Sequence, residues 1–102
     1  MPVNEVWELE MKNLFNTQKA TLYISIIGNS VTGRMERRKE TSDITDGKIY
    51  ADTLMWKASR KFPKFLKFEF YAKVEGDTML GVVKSPLGKA YLKGTRISHE
   101  VI

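Results

Sequence analysis

Apolar and polar residues alternate along most of this chain with a period of two. Trp7-Glu-Leu9-Glu-Met11 sets the pattern, and Leu54-Met-Trp56-Lys-Ala58 and Leu66-Lys-Phe68-Glu-Phe70-Tyr-Ala72 carry it on. Successive side chains of a β-strand point to opposite faces, so this period predicts strands with one buried face. Eight strands are expected, over residues 5–13, 21–28, 30–38, 42–49, 53–60, 65–75, 78–84 and 89–97, and no segment carries a helical stripe. The breaks between them are short, which makes neighbours in sequence neighbours in space. The expected fold is all-β: one domain over residues 1–102, an eight-stranded antiparallel up-and-down barrel that closes to remove exposed sheet edges. A two-sheet sandwich is the structural alternative.

The pattern also repeats. Thr21-Leu-Tyr-Ile-Ser-Ile-Ile-Gly28-Asn-Ser-Val-Thr-Gly33 returns as Glu69-Phe-Tyr-Ala-Lys-Val-Glu-Gly76-Asp-Thr-Met-Leu-Gly81, with Tyr23 on Tyr71, Gly28 on Gly76 and Gly33 on Gly81. The same offset sets Met35 on Val83, Ile44 on Leu92 and Ile49 on Ile97, so the barrel is expected to consist of two similar four-strand halves. Each copy reads as a hairpin whose two-residue turn begins with glycine, as a type II′ turn requires. With Gly28-Asn29 and Gly76-Asp77 as turns, Ile26 faces Val31, Ile24 faces Gly33, Val74 faces Met79 and Ala72 faces Gly81, all pointing inward. Parity adds Trp7, Leu9, Met11, Leu54, Trp56, Ala58, Leu66, Phe68, Phe70, Ala90 and Leu92 to the interior. Glycines 33, 81 and 94 would also face inward, permitting strong coiling or leaving room for a bulky neighbour such as Trp7 or Trp56. Ile44 and Ile49 have opposite parity, and a bulge near Asp46-Gly47 would reconcile them.

In a meander, alternate loops share an end. Tight turns at Gly28-Asn29, Tyr50-Ala51-Asp52 and Gly76-Asp77 would close one end. Longer connections near 14–20, 38–42, 61–64 and 85–88 would frame the other, flanked by Lys19, Arg37, Arg38, Lys39, Arg60, Lys61, Lys64, Lys84 and Lys89. The expectation is a closed bottom and a wider, basic mouth.

Composition sharpens this in three ways. The 102 residues are 42% hydrophobic, enough for one core, and the net charge of +5 favours anionic partners or serves solubility. The absence of cysteine removes disulfides, thiolate metal sites and cysteine nucleophiles. Without a run of about 18 apolar residues or a signal-like N-terminus, the chain is expected to be soluble and cytoplasmic, with no membrane span.

With its N-terminal Trp7 strand and a final strand carrying Gly94-Thr95-Arg96, the chain resembles the eight-stranded barrels of the streptavidin and lipocalin type. It is also similar to small uncharacterised bacterial barrel proteins, through Val31-Thr-Gly33, Asp46-Gly47-Lys-Ile49, Leu54-Met-Trp56, Gly76-Asp77-Thr-Met-Leu-Gly81 and Gly94-Thr-Arg96. These motifs are turns, glycines and core aromatics, so the resemblance implies a fold and, from lipocalins, the idea of a ligand cup. No biotin-contacting set carries over from streptavidin.

Candidate chemistry is sparse. His99, the single histidine, is expected in a short tail after the last strand, where a catalytic triad would need a mobile terminus. Asp43, Asp46 and Asp52 are better explained by turns than by a cation site. No phosphate loop or dinucleotide fingerprint occurs. The residues thus point to a noncatalytic protein without metal or cofactor. Trp7, Met35, Trp56, Phe68 and Phe70 are the candidate lining of an interior pocket, with Arg37, Arg38, Arg60, Lys61 and Lys64 as the basic mouth for an anionic head. The methionines 11, 35 and 79 could refit around a guest. A barrel of this size either fills with its own side chains or holds one small ligand, and both outcomes remain open. The segment from Trp56 to Phe68 interleaves bases with aromatics as single-strand nucleic-acid binders do. Parity turns Trp56 and Phe68 inward, which argues against a stacking platform; only Phe62 and Phe65 could sit exposed at the mouth. On the outside, Tyr71, Val82 and Tyr91 with adjacent Leu80 form an expected apolar patch. The alternative reading is accordingly a filled barrel acting as a structural or interaction module that forms a homodimer through that face.

Overall fold

The alternation is realised as strands throughout. A computed structural model of the chain describes residues 2–13, 16–38, 40–61 and 65–102. Its strands are β1 (Val3–Lys12), β2 (Thr17–Ile27), β3 (Ser30–Arg37), β4 (Glu40–Asp43), β5 (Thr45–Tyr50), β6 (Thr53–Arg60), β7 (Leu66–Glu75), β8 (Thr78–Ser85) and β9 (Gly88–Val101). Chain neighbours pair antiparallel, except that β3 carries both β4 and β5, and β1 pairs with β9 to close the ring. β4 and β5 share one position, so the molecule is a closed eight-strand barrel whose fourth strand is broken in two.

That break answers the parity conflict. Asp46 takes a left-handed φ of 51°, and the β5–β6 register shifts between Thr45 and Lys48. The bulge lets Ile44 be buried while Ile49 packs against the same core. It also alters the repeat. Val31 pairs with Gly47 and Met79 with Gly94, while the amides of Ile49 and Arg96 donate to Asn29 O and Asp77 O. The structural counterpart of Ile49 is therefore Arg96, one residue short of the expected Ile97. Ile97 instead occupies an irregularity of β9 opposite Val6 and Trp7 and is exposed.

The predicted cross-strand partners Ile26–Val31, Ile24–Gly33, Val74–Met79 and Ala72–Gly81 are all present. Gly28 and Gly76 both have φ of 61°, the left-handed conformation their turns demand. At Gly94, of the two expected uses of an inward glycine, the structure shows room for bulky neighbours, which are Met79 and Leu9. Two boundaries differ from expectation by more than two residues. Residues 17–20, read as connection, begin β2, because Thr17 to Ala20 pair with Lys12 to Leu9, although the exposed polar side chains of Thr17, Gln18 and Lys19 hide the alternation. Residues 98–101, read as a tail, continue β9, because they pair with β1 from Val6 back to Val3.

The core occupies the middle and the closed end. Trp7, Leu22, Leu54, Trp56, Met79 and Leu92 are almost wholly buried, each worth about 1.5–3 kcal/mol of transfer free energy. Trp56 and Phe70 stack at 4.8 Å with their planes 5° apart, and Trp56 Nε1 donates to Met35 Sδ at 3.3 Å. This layer is the floor on which the open end stands.

Candidate functional site

Above that floor the inward positions become small or flexible. Ala58 of β6, Val83 of β8 and Ala90 of β9 occupy places where larger side chains would meet across the barrel. They leave a cavity of about 240 Å³ at the open end, with Met35, Phe68 and Phe70 completing its apolar base. Its rim is polar: Gln18 of β2, Ser42 of β4, Ser85 of β8 and Lys89 of β9, with Arg37 and Arg60 on one side.

The two arginines differ in kind. Each places its guanidinium 5.9 Å from the Phe68 ring centroid, a cation–π arrangement worth about 0.5–2 kcal/mol. Arg37 Nη2 lies 3.4 Å from Glu40 Oε2, and Glu40 is held in place because its Oε1 accepts the Lys61 backbone N–H at 3.3 Å. Arg60, by contrast, has no carboxylate partner among the described residues, and its buried Nε lacks a hydrogen-bond acceptor. A buried donor without an acceptor is uncommon in folded proteins. Beside it, a hydrogen bond joins β4 to β6, with Ser42 Oγ donating to the Ser59 backbone carbonyl at 2.8 Å.

Of the expected pocket residues, the structure gathers Met35, Arg37, Arg60, Phe68 and Phe70 around one cavity. Trp56 lies beneath it, against Phe70 and Met35. Trp7 is at the opposite, closed end, where Arg96 covers its ring at 4.8 Å. Arg38 and Lys61 line a separate groove on the outside of β4 and β6 with Glu40 and Asp43. Lys64 lies outside the described residues, as do Lys39 and Phe62, while Phe65 is exposed.

Sequence reasoning overlooked Glu5, the buried acid of the closed end. Its Oε1 accepts Trp7 Nε1–H at 3.0 Å, and its Oε2 lies 2.7 Å from His99 Nδ1 and 3.4 Å from Arg96 Nε. Arg96 also pairs with Asp77 at 3.1 Å. Parity held the signal, since Glu5 alternates with Trp7 and Leu9, and Arg96 with Leu92 and Gly94. His99 is thereby a strand residue bound into this network, correcting its assignment to a tail.

On the outer face, Val82 stands between Tyr71 and Tyr91 in register. Tyr91 and Leu80 are largely exposed, while Lys84 covers Tyr71 at 5.4 Å. Among the described residues no three His, Asp or Glu side chains cluster to hold a metal, and no helix is long and apolar enough to cross a membrane. No protein-family model matches the chain, and neither a curated protein nor a solved structure does.

Proposed function

We propose that this barrel is a noncatalytic binding protein whose mouth cavity takes a small hydrophobic or amphiphilic molecule. The observation that carries the reading is Arg60, a guanidinium with no carboxylate partner among the described residues and a buried Nε without an acceptor, on the wall of a cavity floored by Met35, Phe68 and Phe70. A volume of about 240 Å³ falls below the roughly 300–1,000 Å³ of pockets for drug-sized ligands, so the guest is small. The likeness to streptavidin and lipocalin barrels belongs to this proposal. It is supported by the closed eight-strand architecture and by Trp7 and Arg96 at the closed end.

The test is native mass spectrometry of the purified protein, alone and with octanoate added. The reading expects a one-to-one adduct that disappears on denaturation and in Ala58→Phe, which fills the cavity. A protein that stays bare with octanoate present, or an adduct indifferent to Ala58→Phe, would count against it.

A second reading is favoured by the outer row Tyr71–Val82–Tyr91, which with Leu80 exposes apolar surface on β7 to β9. Here the chain is an interaction module that self-associates through this face. Sedimentation of Tyr91→Glu should then give a smaller mass than wild type, and equal masses would remove the interface.

A further inference from the structure

Resting on the mouth-cavity reading, we infer that the site is built for a singly charged anion, a carboxylate on an apolar body, and that Glu40 is the residue that turns doubly charged head groups away. The charges at the two inward arginines lead to this. Arg60 offers one full positive charge with no carboxylate beside it among the described residues, and its Nε has a free donor. Arg37 is the same distance from Phe68 but already faces Glu40 at 3.4 Å, with both side chains mostly buried. Glu40 stands behind Arg37 on the outer-groove side of the wall, where its other oxygen accepts the Lys61 backbone N–H at 3.3 Å, so it acts on the cavity through Arg37.

A single carboxylate at Arg60 therefore meets one unneutralised cation, and guanidinium suits a planar two-oxygen acceptor. A phosphate monoester brings a second negative charge, and the next guanidinium it meets is neutralised by Glu40, whose own charge repels it. Lys89, across the rim, is exposed, and its charge is shared with water. Recognition thus combines an attraction at Arg60 with a repulsion at Glu40, the two components from which specificity is made. The apolar body lies over Met35, Phe68 and Phe70.

The experiment is calorimetric titration at pH 8 with three probes sharing one tail: octanoate, octyl phosphate and octanol. At that pH the phosphate is doubly charged, because its second ionisation lies near pH 6. Wild type should bind octanoate roughly tenfold or more tightly than octanol, the scale of a hydrogen bond to a charged group, and more tightly than octyl phosphate. Arg60→Met should bring octanoate down to the octanol level. Glu40→Gln keeps an acceptor for the Lys61 amide, and should raise octyl phosphate affinity relative to octanoate. Far-ultraviolet circular dichroism and a urea midpoint close to those of wild type in both variants report that the barrel is still folded.

The inference is overturned if octanol binds wild type as well as octanoate does, if octyl phosphate binds it best, or if Glu40→Gln leaves the phosphate-to-carboxylate ratio where it was. Those results would leave the mouth cavity itself standing as a binding site. Failure of all three probes to bind would overturn the inference and the cavity reading together.

Discussion

Gly33 and Gly81 occupy equivalent places in the two halves, and neither has room for a side chain. A Cβ would lie 1.9 Å from Tyr23 O at the first and 1.8 Å from Tyr71 O at the second, so backbone would have to move. Gly81→Ala should therefore lower stability by about 1–3 kcal/mol or more, read as a reduced urea midpoint; an unchanged midpoint would mean the strands are not so closely coiled. Glu5 makes a different case. Replacing it with leucine leaves the Trp7 N–H without its acceptor and Arg96 without one of its two carboxylates, so Glu5→Leu should cost about 1–3 kcal/mol in the same assay. The candidate site was partly legible at this scale. Parity places Arg37 and Arg60 inside with Met35, Ala58 and Phe68, and by the same rule places Arg38 and Lys61 outside. Charge and loop position alone group all four together, and alternation separates what charge does not. The pairing of Arg37 with Glu40 was hidden, because it depends on where the chain turns after β3.

At the scale of elements, the hairpins at the closed end should show their turn chemistry in stability. Gly28 and Gly76 adopt φ of 61°, and the third turn of that end asks for a similar conformation from Ala51, at 55°. A left-handed non-glycine residue costs about 1–2 kcal/mol, partly offset by glycine's greater flexibility in the unfolded chain. Ala51→Gly should thus raise the thermal midpoint, whereas Gly76→Ala, with nothing within 4 Å of its new methyl, should lower it through backbone strain alone. A melting comparison of the two variants checks both signs. Strand number, register and the bulge at Asp46 were readable because one buried face forces strict alternation, and a slip of one residue would reverse every side chain. The start of β2 and the end of β9 were not. Thr17-Gln-Lys19 and Ser98-His-Glu100 are exposed, so nothing in their composition distinguishes a paired strand from a loop; β1 pairs with both.

For the whole molecule, the two ends of the barrel do different work. The closed end is tied by Glu5, Trp7, Arg96 and His99 and by the turns, the middle is filled by Trp56, Phe70, Leu54 and Leu92, and the open end keeps its cavity. The choice between a filled core and a cavity thus has a position-dependent answer: filled below Phe70, open above it. Composition could not show this, since large and small inward residues are only sorted by height once the register is known. The central claim, that the mouth is a binding site, is tested most directly by backbone and side-chain NMR during a titration with octanoate. The account predicts saturable shifts at Met35, Phe68, Ala90 and the Arg60 Nε–H, with the Trp7 indole N–H at the closed end unmoved. No shifts, or shifts centred on the outer residues Val82 and Tyr91, would contradict it.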